Sequence, residues 1–162
     1  MTEHMERTLV ILKPDALQRG LVGSIVGRFE QKGLKLVAMR MQALNPDILE
    51  QHYAHHVGKP FFPGLKLYMS SAPCILMIWQ GLDAVDTVRK LCGITKARAA
   101  EAGSIRGDFA MSQQMNLVHA SDSVESAKKE VGLFFADKEE IVDWQWDMSN
   151  MLYSDDERGS KK

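Results

Sequence analysis

The order in which strand-like and helix-like segments alternate limits this chain more than any single residue does. Residues 8–12 are a short apolar, β-prone run, stopped by Lys13-Pro14-Asp15. Over 21–32 the apolar residues Leu21, Val22, Ile25, Val26 and Phe29 recur at helical spacing, and Gly33 follows as a C-terminal cap. Residues 34–41 read as a strand. Asn45-Pro46-Asp47 opens a helix, with a capping side chain and a proline in its first turn, that Gly58 closes. A short helix over 61–70, a fully buried strand over 72–79 and a helix over 83–92 come next, the last with Ala84, Val85, Val88 and Leu91 inward. Residues 93–115 lack clean periodicity and read as a long ordered loop, and loops of that length in compact domains are usually functional. A last strand over 117–119 runs into a helix over 123–133. Without the helical insertions the order is strand, helix, strand, strand, helix, strand. That is the order of a ferredoxin-like, four-stranded antiparallel α+β sheet.

With 162 residues the chain can bury a real core as one domain, expected over 1–153. The charged residues Asp155, Asp156, Glu157, Arg158, Lys161 and Lys162 have no apolar anchor, so 154–162 read as a flexible tail. A net charge of -1 gives no electrostatic reason to expect nucleic acid or a membrane surface as partner. No apolar run is long enough to cross a bilayer, and the N-terminus carries Glu3 and Glu6 in place of an apolar signal core. Cys74 and Cys92 lie in apolar periodic segments and read as buried thiols, which suits a reducing cytoplasm.

The most chemical segment is Asn116-Leu117-Val118-His119-Ala120-Ser121-Asp122, with Glu130 eleven positions past the histidine. A neutral imidazole is nucleophilic, and it can attack a phosphorus through one ring nitrogen when an acceptor holds the other as N–H. Glu130 can be that acceptor if a helix folds back beneath His119. The pattern supports such a helix: Asp122 as N-cap, Glu125 three positions on as in a capping box, and Val124, Ala127, Val131 and Leu133 at helical spacing.

Asn-x-x-His-Ala-Ser-Asp-Ser resembles the active-site signature of nucleoside diphosphate kinases. Further matches are Lys13-Pro14-Asp15, Tyr53 with Lys59-Pro60-Phe61-Phe62, and Arg89, Thr95 and Arg106-Gly107-Asp108-Phe109, so the resemblance runs from about Arg7 to Phe135. It implies transfer of the γ-phosphate of ATP and other nucleoside triphosphates to nucleoside diphosphates, by a ping-pong route through a phosphohistidine on His119. Glu130, braced by Ser121, would hold the ring, with Tyr53 beside it. Lys13, Arg89, Thr95 and Arg106 would surround the phosphates, Phe61 would stack on the base, and Asn116 would lie near the sugar. Mg2+ would come with the nucleotide, touched by Asp122 through water. The resemblance also implies a homo-oligomer, a hexamer in preference to a tetramer. Removing Lys13 or Arg106 would slow transfer while folding is little affected.

The chain departs from the family pattern at His55, where an acidic residue is usual, at Gln113 and Met115, and at Lys96-Ala97 after Thr95. The first three bear on magnesium and the base clamp, the last on subunit contacts. His52, His55 and His56 have a spacing that can bind zinc, but with no clear fourth ligand they read as a polar helix face. Two other classes would also use this fold. A phosphohistidine carrier fed by a protein partner would not need the nucleotide residues. A silent assembly protein would be expected to lack His119 or Lys13.

Overall fold

The computed structural model describes residues 5–158. Its sheet has four strands, β1 (Met5–Leu12), β2 (Lys35–Gln42), β3 (Cys74–Leu82) and β4 (Val118–Ala120), in the spatial order β2-β3-β1-β4. Every pair is antiparallel, with Met5 opposite Leu82, Ile11 opposite His119 and Arg40 opposite Leu76. This is the ferredoxin-like arrangement that the order of segments predicts.

Both faces of the sheet are covered, so its central strands are apolar on both sides. From β1, Val10 and Leu12 face one layer while Leu9 and Ile11 face the other. From β3, Ile75, Met77 and Trp79 join the first layer, and Cys74, Leu76 and Ile78 the second. That double burial is why 72–79 shows a continuous apolar run and no alternation. The first layer is built by α1 (Pro14–Gln18), α2 (Val22–Lys32), α5 (Ala84–Cys92) and α6 (Ile105–Phe109). Phe29 of α2 packs on Trp79 with ring centroids 5.3 Å apart. The second layer holds α3 (Pro46–His52), α4 (Phe62–Met69) and α7 (Val124–Phe134). Gly33 ends α2 at φ 90°, a left-handed conformation in which a Cβ would be strained.

Several boundaries differ from the sequence reading, each for a local reason. α3 stops at His52 and not at Gly58, because Tyr53 leaves helical geometry and a 3-10 turn, Ala54–His56, takes over. The expected polar face of three histidines therefore does not form. His52 is buried, and His55 and His56 sit on the turn. Residues 93–115 contain a 3-10 turn, Ala97–Ala99, and α6, whose cap Ser104 accepts from the Gly107 N–H. The cap of α7 is Ser123, which accepts from Ser126 N, so the Asp122 capping box is displaced by one residue.

Residues 141–146 lie along the outer edge of β2. Val142 N–H donates to the Val37 carbonyl at 2.9 Å, and Trp144 Nε1 to the Leu36 carbonyl at 3.0 Å. Lys35, also buried, reaches Asp143 and the Trp144 carbonyl. Further along the same strand Met39 and Met41 are exposed. Met148 precedes a last turn, α8 (Ser149–Leu152). Of the expected tail, Ser154 bonds Glu157, Arg158 bonds Asp155 and reaches back to Asn150 of α8, and 159–162 lie outside the described residues.

Candidate active site

The ends of β1 and β4 meet beside a cavity of about 1270 Å³. Residue 119 lies opposite Ile11, so its side chain shares the face of the sheet covered by α3, α4 and α7. There His119 Nε2 is 3.0 Å from Glu130 Oε1, and Ser121 Oγ donates to Glu130 Oε2 at 2.5 Å. The Leu9 N–H donates in turn to Ser121 Oγ at 3.2 Å. A backbone amide of the central strand thus fixes the hydroxyl, the hydroxyl fixes the carboxylate, and the carboxylate fixes the ring. Because a carboxylate accepts, Nε2 carries the proton and Nδ1 keeps the lone pair.

Lys13, at the end of β1, is buried with its Nζ 2.7 Å from Asn116 Oδ1. Burial pushes its pKa down to about 8, and the Arg106 guanidinium adds to the effect. Asn116 is buried too, and its Nδ2 donates to the carbonyls of Thr95 and Gln113. Lys13 N–H donates to the Leu117 carbonyl at 2.8 Å, and Leu117 N–H to Asp15 Oδ2 at 3.1 Å. Between them Leu117 holds φ at 72°, a left-handed conformation costly for a leucine, which the surrounding hydrogen bonds must impose. Tyr68 of α4 donates its hydroxyl to the other oxygen of Asp15.

Among the described residues, Arg106 is a buried cation without a carboxylate partner. Its guanidinium donates to the carbonyls of Gly93 at 2.6 Å, Val118 at 2.5 Å and Asn116 at 3.3 Å. Three of five N–H donors are used, and the remainder are free for an anion in the cavity. Burial, then the charge of Arg89, lowers its pKa. Gly107 permits this placement, since a Cβ there would lie 2.0 Å from the Glu101 carbonyl oxygen. Arg89 and Thr95 line the same cavity but are exposed.

Of the two adjacent phenylalanines, Phe62 is buried and Phe61 is 48% exposed on the cavity wall. Tyr53 is buried, with its ring edge-on to His119 at 6.4 Å, and burial raises its pKa, so its hydroxyl stays protonated. Asp122 lines the cavity, and its carboxyl is held below the usual range first by the Ser126 hydroxyl. The site residues singled out from the sequence therefore line one cavity, except Ser121, which stands behind Glu130.

Two neighbours escape the sequence reading. Asp15 looks like a strand stop, yet it holds the Leu117 backbone. His52 looks like part of a polar face, yet it packs edge-on against His119 with ring centroids 4.5 Å apart. Its signal was available, because Leu49 and His52 are three apart and both buried on α3.

A cavity with a carboxylate-held histidine and two buried cations, on a ferredoxin-like sheet, defines a protein built to receive an anionic, phosphate-bearing ligand. A family model described as nucleoside diphosphate kinase matches residues 6–140. A nucleoside diphosphate kinase of Parabacteroides distasonis is 52% identical over 94% of this chain and 99% of its own length. That of Saccharomyces cerevisiae is 46% identical over the same shares. The structure of a halophilic nucleoside diphosphate kinase from Halobacterium salinarum in complex with CDP superposes with a TM-score of 0.90 at 44% identity, covering 93% of this chain and all of that one. The chain belongs to the nucleoside diphosphate kinase family, and its activity is that of a phosphotransferase acting on nucleotides.

Proposed function

We propose that this chain moves the γ-phosphoryl group of nucleoside triphosphates to nucleoside diphosphates through a phosphohistidine at His119 Nδ1. The observation that carries the reading is the Ser121–Glu130–His119 chain of hydrogen bonds, which commits Nε2 to the carboxylate and leaves the Nδ1 lone pair available. In the first half-reaction Nδ1 attacks the γ-phosphorus, the N–P bond forms, and the bond to the β,γ-bridging oxygen breaks. The nucleoside diphosphate leaves with that electron pair. Positive charge that develops on the imidazole is met by Glu130. Lys13, Arg106 and the exposed Arg89 and Thr95 stabilise the charge on the moving phosphoryl oxygens. Tyr53 supports the ring from its edge. The diphosphate is then exchanged for another and the steps reverse.

The nucleotide enters with its base at Phe61, where stacking offers affinity with little regard to base identity. The CDP bound in the Halobacterium salinarum structure supports a nucleoside diphosphate as occupant. Both Asn116 N–H donors are used by backbone carbonyls and Oδ1 meets Lys13, so Asn116 has one lone pair left to accept a sugar hydroxyl.

Among the described residues the acidic side chains lining the cavity are Asp122 and Glu130, and Glu130 is committed to His119 and Ser121. That donor set fits a Mg2+ that is carried by phosphate oxygens, with Asp122 contributing through water, and not an all-protein cage. When bound, Mg2+ would neutralise phosphate charge.

We read 1–153 as the single domain and 154–162 as its tail, acting in the cytoplasm as a closed homo-oligomer, a hexamer in preference to a tetramer. The free, buried Cys74 and Cys92 suit a reducing compartment. Among the described residues no helix is long and apolar enough to cross a membrane. The open stretch of β2 at Met39 and Met41 supports self-association.

The decisive test is to supply Mg·ATP labelled at the γ position, with no second protein. One acid-labile, alkali-stable phosphate per chain is expected, absent in His119→Ala. Label that survives acid, or that persists in the variant, would overturn the reading.

A further inference from the structure

His52 is the buried group that phosphoryl transfer does not use. Its side chain is 1% exposed, and among the described residues neither ring nitrogen has a hydrogen-bond partner. Burying a polar ring without partners is costly, so a ligand that takes a lone pair would recover energy there. Burial, with the neighbouring His119 adding, holds its pKa down at about 2, so the ring is neutral and has a lone pair to give.

We propose that His52, His119 and Glu130 form a site for a zinc-like transition-metal dication, distinct from the magnesium that accompanies nucleotide. The three donor atoms lie within 4.8 Å of one another. Glu130 Oε1 is 3.0 Å from His119 Nε2 and 3.8 Å from His52 Nδ1. Two ligands on a tetrahedral zinc with bonds near 2.0–2.1 Å are about 3.3 Å apart, so the two measured edges bracket the required one. Two imidazoles and one carboxylate leave a fourth position open to the cavity for water. Nitrogen ligands favour zinc over magnesium, which demands oxygen. The edge-on packing of His52 on His119 at 85° already directs separate rings toward one carboxylate.

The site has a consequence for the reaction, and this part rests on the reading of His119 as nucleophile. A metal on Nε2 takes the lone pair there only when the ring proton has moved to Nδ1. The neutral ring neither gains nor loses a proton. The nitrogen that attacks phosphorus then has no lone pair, so zinc silences the enzyme without touching the nucleotide residues.

Calorimetric titration of Zn2+ into nucleotide-free, chelator-treated protein tests the site directly. One ion per chain is expected, weakened about tenfold or more in His52→Gln and unchanged when His55 and His56 are both replaced by Gln. If His52→Gln fails to fold, anomalous diffraction from wild-type crystals soaked in Zn2+ decides, with the ion expected at bond distance from His52, His119 and Glu130. No stoichiometric uptake, binding indifferent to His52→Gln, or an ion at the His55–His56 pair would overturn the site. Label transferred from Mg·ATP should fall at least tenfold with Zn2+ in the wild type but not in His52→Gln. Undiminished wild-type labelling with zinc bound overturns the silencing. A wild type that takes no label even without zinc overturns the phosphohistidine reading alone, since calorimetry still judges the site.

Discussion

Lys13 and Arg106 are both buried cations at the phosphate end of the cavity, but they are held in different ways. Lys13 stands at the end of a strand and donates to the Asn116 side-chain oxygen at 2.7 Å and more weakly to the Gln114 carbonyl at 3.4 Å. With its pKa near 8, it loses its proton just above neutrality, while phosphate binding needs it charged. kcat/KM for Mg-nucleotide should therefore fall as pH rises past about 8, and Lys13→Arg, which keeps its charge, should remove that limb. A steady-state pH profile of the two proteins measures it. Arg106 instead satisfies three backbone carbonyls drawn from the loop, from β4 and from the residue before the strained Leu117. Arg106→Ala should therefore cost transfer roughly 10²–10³-fold and also lower stability by about 2 kcal/mol or more, as buried acceptors are left unpaired. Comparing denaturant midpoints for Arg106→Ala and Lys13→Ala separates the two roles. For Arg106 that outcome would differ from the expectation that folding is little affected, which Lys13→Ala should still meet. Sequence spacing locates a cation, but it says nothing about which carbonyls converge on it.

At the scale of elements, what the sequence revealed was what periodicity and capping chemistry encode. The strands at β1 and β3 and the helices α2, α4, α5 and α7 are legible because each buries a patterned face. α6 was not, because its five residues are fewer than two turns and Gly107 interrupts the pattern. α3 was read too long because Gly58 is a plausible stop and nothing in the order of residues marks Tyr53 as leaving the helix. At α7 three successive residues, Ser121, Asp122 and Ser123, are all competent caps, so geometry alone chooses. The choice is testable: Ser123→Ala should lower stability by about 1 kcal/mol through its lost bond to Ser126 N, read from chemical unfolding. The functional residues were legible for a different reason. His119, Lys13 and Asn116 belong to motifs whose chemistry fixes residue type and spacing together, whereas what His52 does, and what Asp15 does within the Lys13 motif, depends on contacts with elements far apart in the chain.

For the whole molecule, His52 sets a limit on acid tolerance. Burial first, then His119, His55, Lys13 and His56, keeps it neutral in the folded protein, while an unfolded chain protonates it below about 6.5. The unfolded state binds the extra proton, so stability falls as pH falls through that value, by about 2 kcal/mol at pH 5 from this residue alone. Unfolding curves between pH 7 and 5 should show that slope, and His52→Gln should lack it. The edge of β2 bears on assembly from the other end of the chain. Val142 and Trp144 supply the groups that occupy the Val37 and Leu36 carbonyls, so the seal is among the last parts of the described chain to be synthesised. A nascent polypeptide with its sheet already paired still presents that rim to its neighbours on a crowded polysome. A chain released at residue 140 should sediment as aggregates where the chain that includes 141–146 stays dispersed, because those residues cover the Leu36–Val37 part of the rim.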